Sequence, residues 1–348
     1  LLGIQVKQMK SIHTLILGIA TIGSVATAQS QDINIDQFKP ALRRTWDQPR
    51  SGVDNARVTL GKILFFDKRL SRDNTISCNS CHGLDNWGVD GVAFSMGFNG
   101  HHVGRNSPTV FNAFGHITQF WDGREPTVEE QAKGPILAGG EMAMPSPEAV
   151  VKKLKEIKGY APLFKAAFPK AKDPLTYDNV GISIGAFERL LATPSRWDRF
   201  LNGGKKALKE NELAGLKAFT TYGCTTCHTG TLLGGDRYQK VGLVKPWPNQ
   251  KDQGRFGVTG KEADKMFFKV PSLRNIAKTG PYFHDASERT LAGAIRKMGR
   301  HQLGMEIPDK DVKALEAFFK TLTGNIPADL QKAPEMPTDK AAKAASFD

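Results

Sequence analysis

The chain has 348 residues, 40% hydrophobic and 24% charged, enough for two domains with separate cores, and past its N-terminus no apolar run is long enough to span a bilayer. Forty-eight Lys and Arg against 35 Asp and Glu leave a formal net charge of +13, which favours acidic partners. No Lys/Arg cluster of the kind a nucleic-acid reader carries stands out, so the surplus reads as a solvated docking surface and not as a nucleic-acid site.

Residues 1–28 read as upstream residues and a signal peptide. Met9-Lys10 is the expected start, followed by the apolar stretch Ile12 to Val25 and the small-residue site Ala26-Thr27-Ala28. The implied destination is the periplasm. A membrane anchor is the competing reading, but His13, Thr14 and Ser24 interrupt a stretch already short for spanning.

Asp54 to Phe66 then carries Val58, Ile63 and Leu64 at helical spacing. Leu84 to Asn112 is rich in Gly and Asn without a clear period and reads as a long loop, a type of segment that tends to be functional. Pro147 to Ile157 opens on Pro after Ser146 and is helical, as is Asp178 to Leu191. Thr193 to Asp198 and Asn202 to Lys205 read as a junction between domains. Beyond it, Asn211 is expected to cap a helix through Leu213, Leu216 and Phe219 into Gly223-Cys224, and Ser287 to start one bearing Leu291 and Ile295. Pro308 to Thr323 closes the pattern with Val312, Leu315, Phe318 and Phe319, and the tail from Pro327 offers little function.

All four cysteines fall in two copies of one motif, Cys78-Asn-Ser-Cys81-His82 and Cys224-Thr-Thr-Cys227-His228. Two thiols followed at once by His is the attachment pattern of c-type haem, in which the thiols add to the vinyl groups and the His ligates iron. One copy admits a zinc or redox site; two copies behind an export signal make that reading improbable. The expected fold is mainly α, two c-type cytochrome domains in tandem, each around one covalently bound haem, with long loops. The expected boundaries are 29–200 and 201–325, with a tail over 326–348. No repeat beyond the two motifs is visible.

The two haems need different surroundings. An electron-transfer haem takes a second axial ligand, whereas one that reacts with a small oxidant needs an open side. Candidates for that ligand near the second motif are Met266, Met298, Met305, His284 and His301. Met298 lies on the Leu291/Ile295 face, where a Met is as a rule core filling.

Six longer strings carry a sharper signal: Arg105-Asn-Ser-Pro-Thr-Val-Phe-Asn112, Gln119-Phe-Trp-Asp-Gly-Arg124, Glu130-Gln-Ala-Lys-Gly-Pro135, Lys269-Val-Pro-Ser-Leu-Arg-Asn275, Gly280-Pro-Tyr-Phe-His-Asp285 and Lys297-Met-Gly-Arg-His-Gln-Leu-Gly304. From about Val53 to Gly324 the chain resembles the bacterial di-haem cytochrome c peroxidases. The resemblance implies that the N-terminal haem, on His82, is the hydrogen peroxide site, with Glu141 as acid–base group and Gln131 beside it. It implies that Met298 is the axial partner of the His228 haem and that Trp121 relays electrons between the two. It further implies a Ca²⁺ ion held by Asn106, Thr279 and Pro281, a propionate contact for His284, a homodimer, and a small cytochrome c or cupredoxin as electron donor.

Two rivals are a non-enzymatic di-haem electron carrier and a MauG-like protein-oxidising enzyme. The latter group has Tyr at the place of Met298. The chain departs from many family members at Phe98, where they carry a His that caps the peroxide-reactive iron. His101 and His102, three and four residues on, replace that His only if the loop is rebuilt.

Overall fold

The computed structural model describes residues 33–41 and 52–338, which belong to one compact unit. The expected signal peptide lies outside the described residues. The first half runs through α1 (Gly52–Phe66), the short α2 (Cys78–Cys81), α3 (Val128–Leu137), α4 (Pro147–Glu156), α5 (Tyr160–Ala167) and α6 (Tyr177–Glu188). The second runs through α7 (Arg196–Leu201), α8 (Glu210–Thr221), α9 (Phe256–Thr259), α10 (Leu291–Met298), α11 (Asp309–Thr321) and α12 (Ala328–Gln331). Long loops join them. Strands β1 (Tyr238–Lys240) and β2 (Phe267–Lys269) form an antiparallel ribbon, with Gln239 opposite Phe268. No described helix is long and apolar enough to cross a membrane.

Side-chain caps set the helix starts. Thr127, Ser146, Thr176 and Thr290 each accept from the backbone N–H three residues on, satisfying a donor that has no partner within the helix. Two expected starts move. Asn211 lies inside α8, whose cap is Lys209, because the buried Glu212 carboxylate accepts the Lys209 N–H at 2.8 Å and also holds Arg196. Ser287 instead closes a turn on Asp285, leaving Thr290 to begin α10. The junction segment is itself helical, as α7.

Each half packs one long helix against another around its own core. α1 crosses α6 over Leu60, Leu64, Ile184 and Phe187, and α8 crosses α11 over Leu216, Phe219, Leu315 and Phe318. Both crossings need glycine. A Cβ on Gly61 would lie 1.8 Å from the Ser183 carbonyl oxygen, and one on Gly215 would lie 1.9 Å from that of Ala314. The chain ends cross over. Phe38 packs edge-on to Trp197 in the second core, while Ile326, Leu330 and Met336 cover the first. Residues 326–338 are therefore packing material.

The structure corrects the expectation of no further repeat. Residues about 163 positions apart make the same hydrogen bonds in both halves. Asn112 and Asn275 are both left-handed, as are Phe120 and Phe283. Gln119 bridges Glu125 as Tyr282 bridges Glu288, and Thr127 caps α3 as Thr290 caps α10. Under this correspondence Trp121 matches His284, and Asn106 matches Lys269.

Buried polar groups tie the connector between the halves to the second half. Arg274, 1% exposed, forks onto Asp198 at 2.7 and 2.9 Å, and Asp198 also accepts the Ala41 and Ser195 N–H groups. Removing one partner of such a pair leaves a buried charge unpaired, which costs about 3–5 kcal/mol. Asp198→Ala is therefore expected to lose about that much unfolding free energy in urea. A loss under about 1 kcal/mol would mean the pair is solvated in the native state.

Candidate functional site

Each Cys-x-x-Cys-His unit is built alike. In the first, Cys78 and Cys81 bound α2, the His82 N–H closes onto the Cys78 carbonyl at 3.0 Å, and His82 Nδ1 faces the Gly88 carbonyl at 3.3 Å. In the second, the His228 N–H closes onto the Cys224 carbonyl at 3.0 Å and His228 Nδ1 faces the Leu233 carbonyl at 2.9 Å. A carbonyl on Nδ1 fixes the proton there and leaves Nε2 as the lone-pair nitrogen a metal needs. Burial lowers both imidazoles from their ordinary range, which keeps them neutral. All four thiols are free despite their spacing, and burial pushes them up, Cys224 to about 12. Protonated thiols beside a neutral imidazole fit covalent haem.

Glu141 sits in the turn that folds back on α3. Its N–H donates to the Ala138 carbonyl at 2.9 Å and its carbonyl accepts the Phe98 N–H at 2.8 Å, while Met142 and Met144 beside it are buried. Burial raises its carboxyl above the ordinary range, and the Arg124 guanidinium pulls the other way. The Cys78 and Cys81 thiols both feel its charge, so it lies on the side of the first thiol pair. Gln131 lies on α3, from whose last turns Pro135 and Ile136 accept the N–H groups of Met142 and Met144. Phe98 opens a turn beneath the Arg72 guanidinium. Of the two nearby histidines, His101 lies against Gly140, next to Glu141, whereas His102 turns to the Phe94 carbonyl.

At the junction the structure brings Trp121, Asn106, His284 and Met298 together. Trp121 Nε1 donates to the Asn106 carbonyl at 2.9 Å, and its ring meets that of His284 edge-on at 6.2 Å. Met298, at the end of α10, shares an apolar cluster with Trp121, Phe268, Trp247 and Met266. Met305 is 39% exposed. The Asn106 N–H donates to the His284 carbonyl at 2.8 Å, which sets Asn106 beside the loop bearing Thr279 and Pro281. Its side-chain nitrogen donates to the carbonyls of Val92 and Ala93, leaving the oxygen as the free end, a donor that suits Ca²⁺. His284, 3% exposed and stacked on Phe268 at 4.1 Å, has a buried Nε2 with no partner. Sequence reasoning missed Lys269 and His116. Lys269 is 7% exposed, burial pushes it down to about 7 against the pull of Asp122, and its Nζ lies 2.9 Å from His116 Nδ1. Its place in the Lys269–Asn275 string was the only signal.

Two thiol–imidazole units on helical halves define a c-type haem protein. A family model described as di-haem cytochrome c peroxidase matches residues 55–206. The chain is 40% identical over 329 residues to cytochrome c551 peroxidase of Pseudomonas aeruginosa, covering 93% of this chain and 94% of that protein. It is 45% identical over 285 residues to the Nitrosomonas europaea protein of the same name, covering 80% and 84%. A solved MauG-like protein associated with microbial copper homeostasis aligns with a TM-score of 0.70 at 28% identity, covering 85% of this chain and 96% of that one. The chain belongs to the di-haem cytochrome c peroxidase family.

Covalent attachment is checked on denaturing gels stained for haem. Two haems per chain are expected, and Cys78→Ala or Cys224→Ala should weaken attachment at one unit only. Loss of both haems to acid acetone from the unaltered protein would overturn the assignment.

Proposed function

We propose that the protein reduces hydrogen peroxide to water in the periplasm with electrons from a small cytochrome c or cupredoxin, as a homodimer whose halves 29–200 and 201–325 are the peroxide-reducing and electron-receiving domains. The observation that carries this reading is the half-buried Glu141 carboxyl, tied by its backbone to Phe98 and within electrostatic reach of the first thiol pair. Iron held by His82 would supply the electrophilic site for peroxide, and iron held by His228 and Met298 would supply stored electrons.

The remaining work falls to side chains. Glu141 takes a proton from the oxygen that stays and returns it to the oxygen that leaves, and Gln131 holds the peroxide by hydrogen bonds. With two electrons and two protons taken up, one peroxide yields two waters. Trp121 bridges the halves through the Asn106 carbonyl on one side and the Lys269 N–H on the other, a bonded route for electrons. Asn106, Thr279 and Pro281 would hold Ca²⁺, and the unpartnered His284 Nε2 would donate to a haem carboxylate.

Glu141→Gln is expected to keep both haems and slow peroxide turnover by about 10²–10⁴-fold. The unaltered enzyme should lose activity as pH falls through a value above the ordinary carboxylate range, because burial favours the protonated form, which cannot accept a proton. That limb should vanish in the variant; a loss under about tenfold makes Glu141 a bystander. Met298→Ala should abolish the sulfur-to-iron charge-transfer band of the oxidised protein. If Met266→Ala or Met305→Ala removes it instead, the ligand is misassigned.

Phe98 offers no lone pair to iron. The oxidised protein is therefore expected to contain one high-spin haem that responds to cyanide before any reductant is added. A wholly low-spin oxidised spectrum that turns partly high-spin in His101→Ala would show that His101 caps the iron. A protein low-spin at both haems in every variant would be an electron carrier.

A further inference from the structure

The two loops that meet at the junction are tied by one matched pair of backbone bonds. The Asn106 N–H donates to the His284 carbonyl at 2.8 Å, and the Lys269 N–H donates to the Trp121 carbonyl at 2.8 Å. Asn106 and Lys269 hold equivalent places, each two residues before the matched prolines Pro108 and Pro271. The loops facing them correspond as well: His116 matches Thr279, and Thr118 matches Pro281. On one side, then, stand Asn106, Thr279 and Pro281, the proposed Ca²⁺ ligands. On the other stand Lys269, His116 and Thr118.

Here the side chains are already in contact. Lys269 Nζ lies 2.9 Å from the Thr118 carbonyl oxygen and 2.9 Å from His116 Nδ1. Below about pH 7 Lys269 is an ammonium, with three donors and no acceptor, so His116 Nδ1 accepts and its proton resides on Nε2, which is buried without a partner. Neither hydrogen-bond partner of Lys269 is a carboxylate; Asp122 acts on it only through space. The Lys269 ammonium is thus held as a hard cation is held, by neutral lone pairs from one loop. That loop, from His116, carries Trp121.

We propose that Lys269 is a tethered cation that clamps the Trp121 loop, in the place that a divalent cation takes beneath the His284 loop of the other half. The comparison rests on the calcium reading of Asn106, Thr279 and Pro281; the clamp itself does not. A covalently attached cation cannot be withdrawn by a chelator, so the Trp121 loop stays placed whatever the calcium supply, and only the His284 loop depends on the metal. Lys269 is a positioning residue in this scheme.

Hydrogen–deuterium exchange of the haem-loaded protein at pH 6, with and without Ca²⁺, reads both loops, and calorimetry after chelation reads Ca²⁺ stoichiometry. In the unaltered protein Ca²⁺ should slow exchange over 279–285 and leave 116–122 unchanged. Lys269→Met should speed exchange over 116–122 about tenfold, with the α8–α11 core unaffected. Lys269→Asn should bind one more Ca²⁺ per chain than the unaltered protein and regain slow exchange over 116–122 when Ca²⁺ is present. Should Lys269→Met not fold, His116→Leu removes one of the two acceptors and is expected to loosen the same segment. Exchange over 116–122 within about twofold of the unaltered protein in these variants would overturn the clamp. An unaltered protein that binds no Ca²⁺ would overturn the calcium reading and the comparison drawn from it, with the clamp still judged by Lys269→Met. Calcium binding by the unaltered protein without an additional ion in Lys269→Asn would overturn the equivalence of the two sites.

Discussion

The buried ion pair between Asp198 and Arg274 fixes the connector between the halves, and the junction geometry follows from where it holds that connector. Asp198 accepts N–H groups from Ala41 and Ser195 as well as the guanidinium fork, and Arg274 Nε donates to the Thr231 carbonyl at 2.7 Å. Four separate segments therefore meet on two side chains: the N-terminal stretch, the connector between halves, the loop after the second haem motif and the Lys269–Asn275 string. Beside it, Thr193 Oγ1 accepts from Asn112 and from Asn275, whose own oxygen takes the Gly324 N–H. An apolar replacement of such a pair is often no less stable, so its value lies in register. These polar groups find their partners in this register, and sliding one half past the other would leave several unpaired at about 1–3 kcal/mol each.

Register matters because both halves use one hydrogen-bond scheme to do different work. Thr109 Oγ1 donates to the Trp87 carbonyl as Ser272 Oγ donates to that of Leu232, and these bonds shape the turns that present carbonyls to His82 and His228. On this shared frame single residues create the difference. The matched junction position holds Trp121 in one half and His284 in the other, and the two rings meet at 6.2 Å. A ring with a large π-system in one half faces an imidazole with an unspent Nε2 in the other. Only a fixed register keeps that pairing across a seam made of loops.

Much of this was legible in the sequence where the signal is local. The Cys-x-x-Cys-His spacing and the apolar spacing of α1, α6, α8 and α11 depend on neighbours in the chain. What stayed hidden depends on distant partners. Asn211 has the right chemistry for a cap, but Glu212 is committed to Arg196 and draws the helix start back to Lys209. The repeat escaped notice because its halves share scattered identities, such as Pro108 with Pro271, Asn112 with Asn275 and Asp122 with Asp285, while its substance is a backbone pattern. The tail looked featureless in composition, yet Leu330 and Met336 cover the first core and Arg69 donates to the Pro337 carbonyl at 2.9 Å.

The same close packing bears on the first Cys-x-x-Cys-His unit. A Cβ on Gly97 would lie 1.9 Å from the Gly140 carbonyl oxygen, one on Gly140 would strike the His101 ring, and the Phe98 N–H holds the Glu141 carbonyl. The segment bearing Phe98 and His101 and the segment bearing Glu141 are thus fastened backbone to backbone at consecutive residues. A loop that swings to open or close the first iron cannot do so alone here without tearing that hydrogen bond and separating two glycine contacts. Either the two segments move as one body, taking Glu141 with them, or the position of Glu141 and the exposure of the first unit are both set in the resting fold. In both cases, with the roles proposed for Glu141 and Phe98, access and proton transfer would be one mechanical variable, because the Phe98 N–H holds the Glu141 carbonyl.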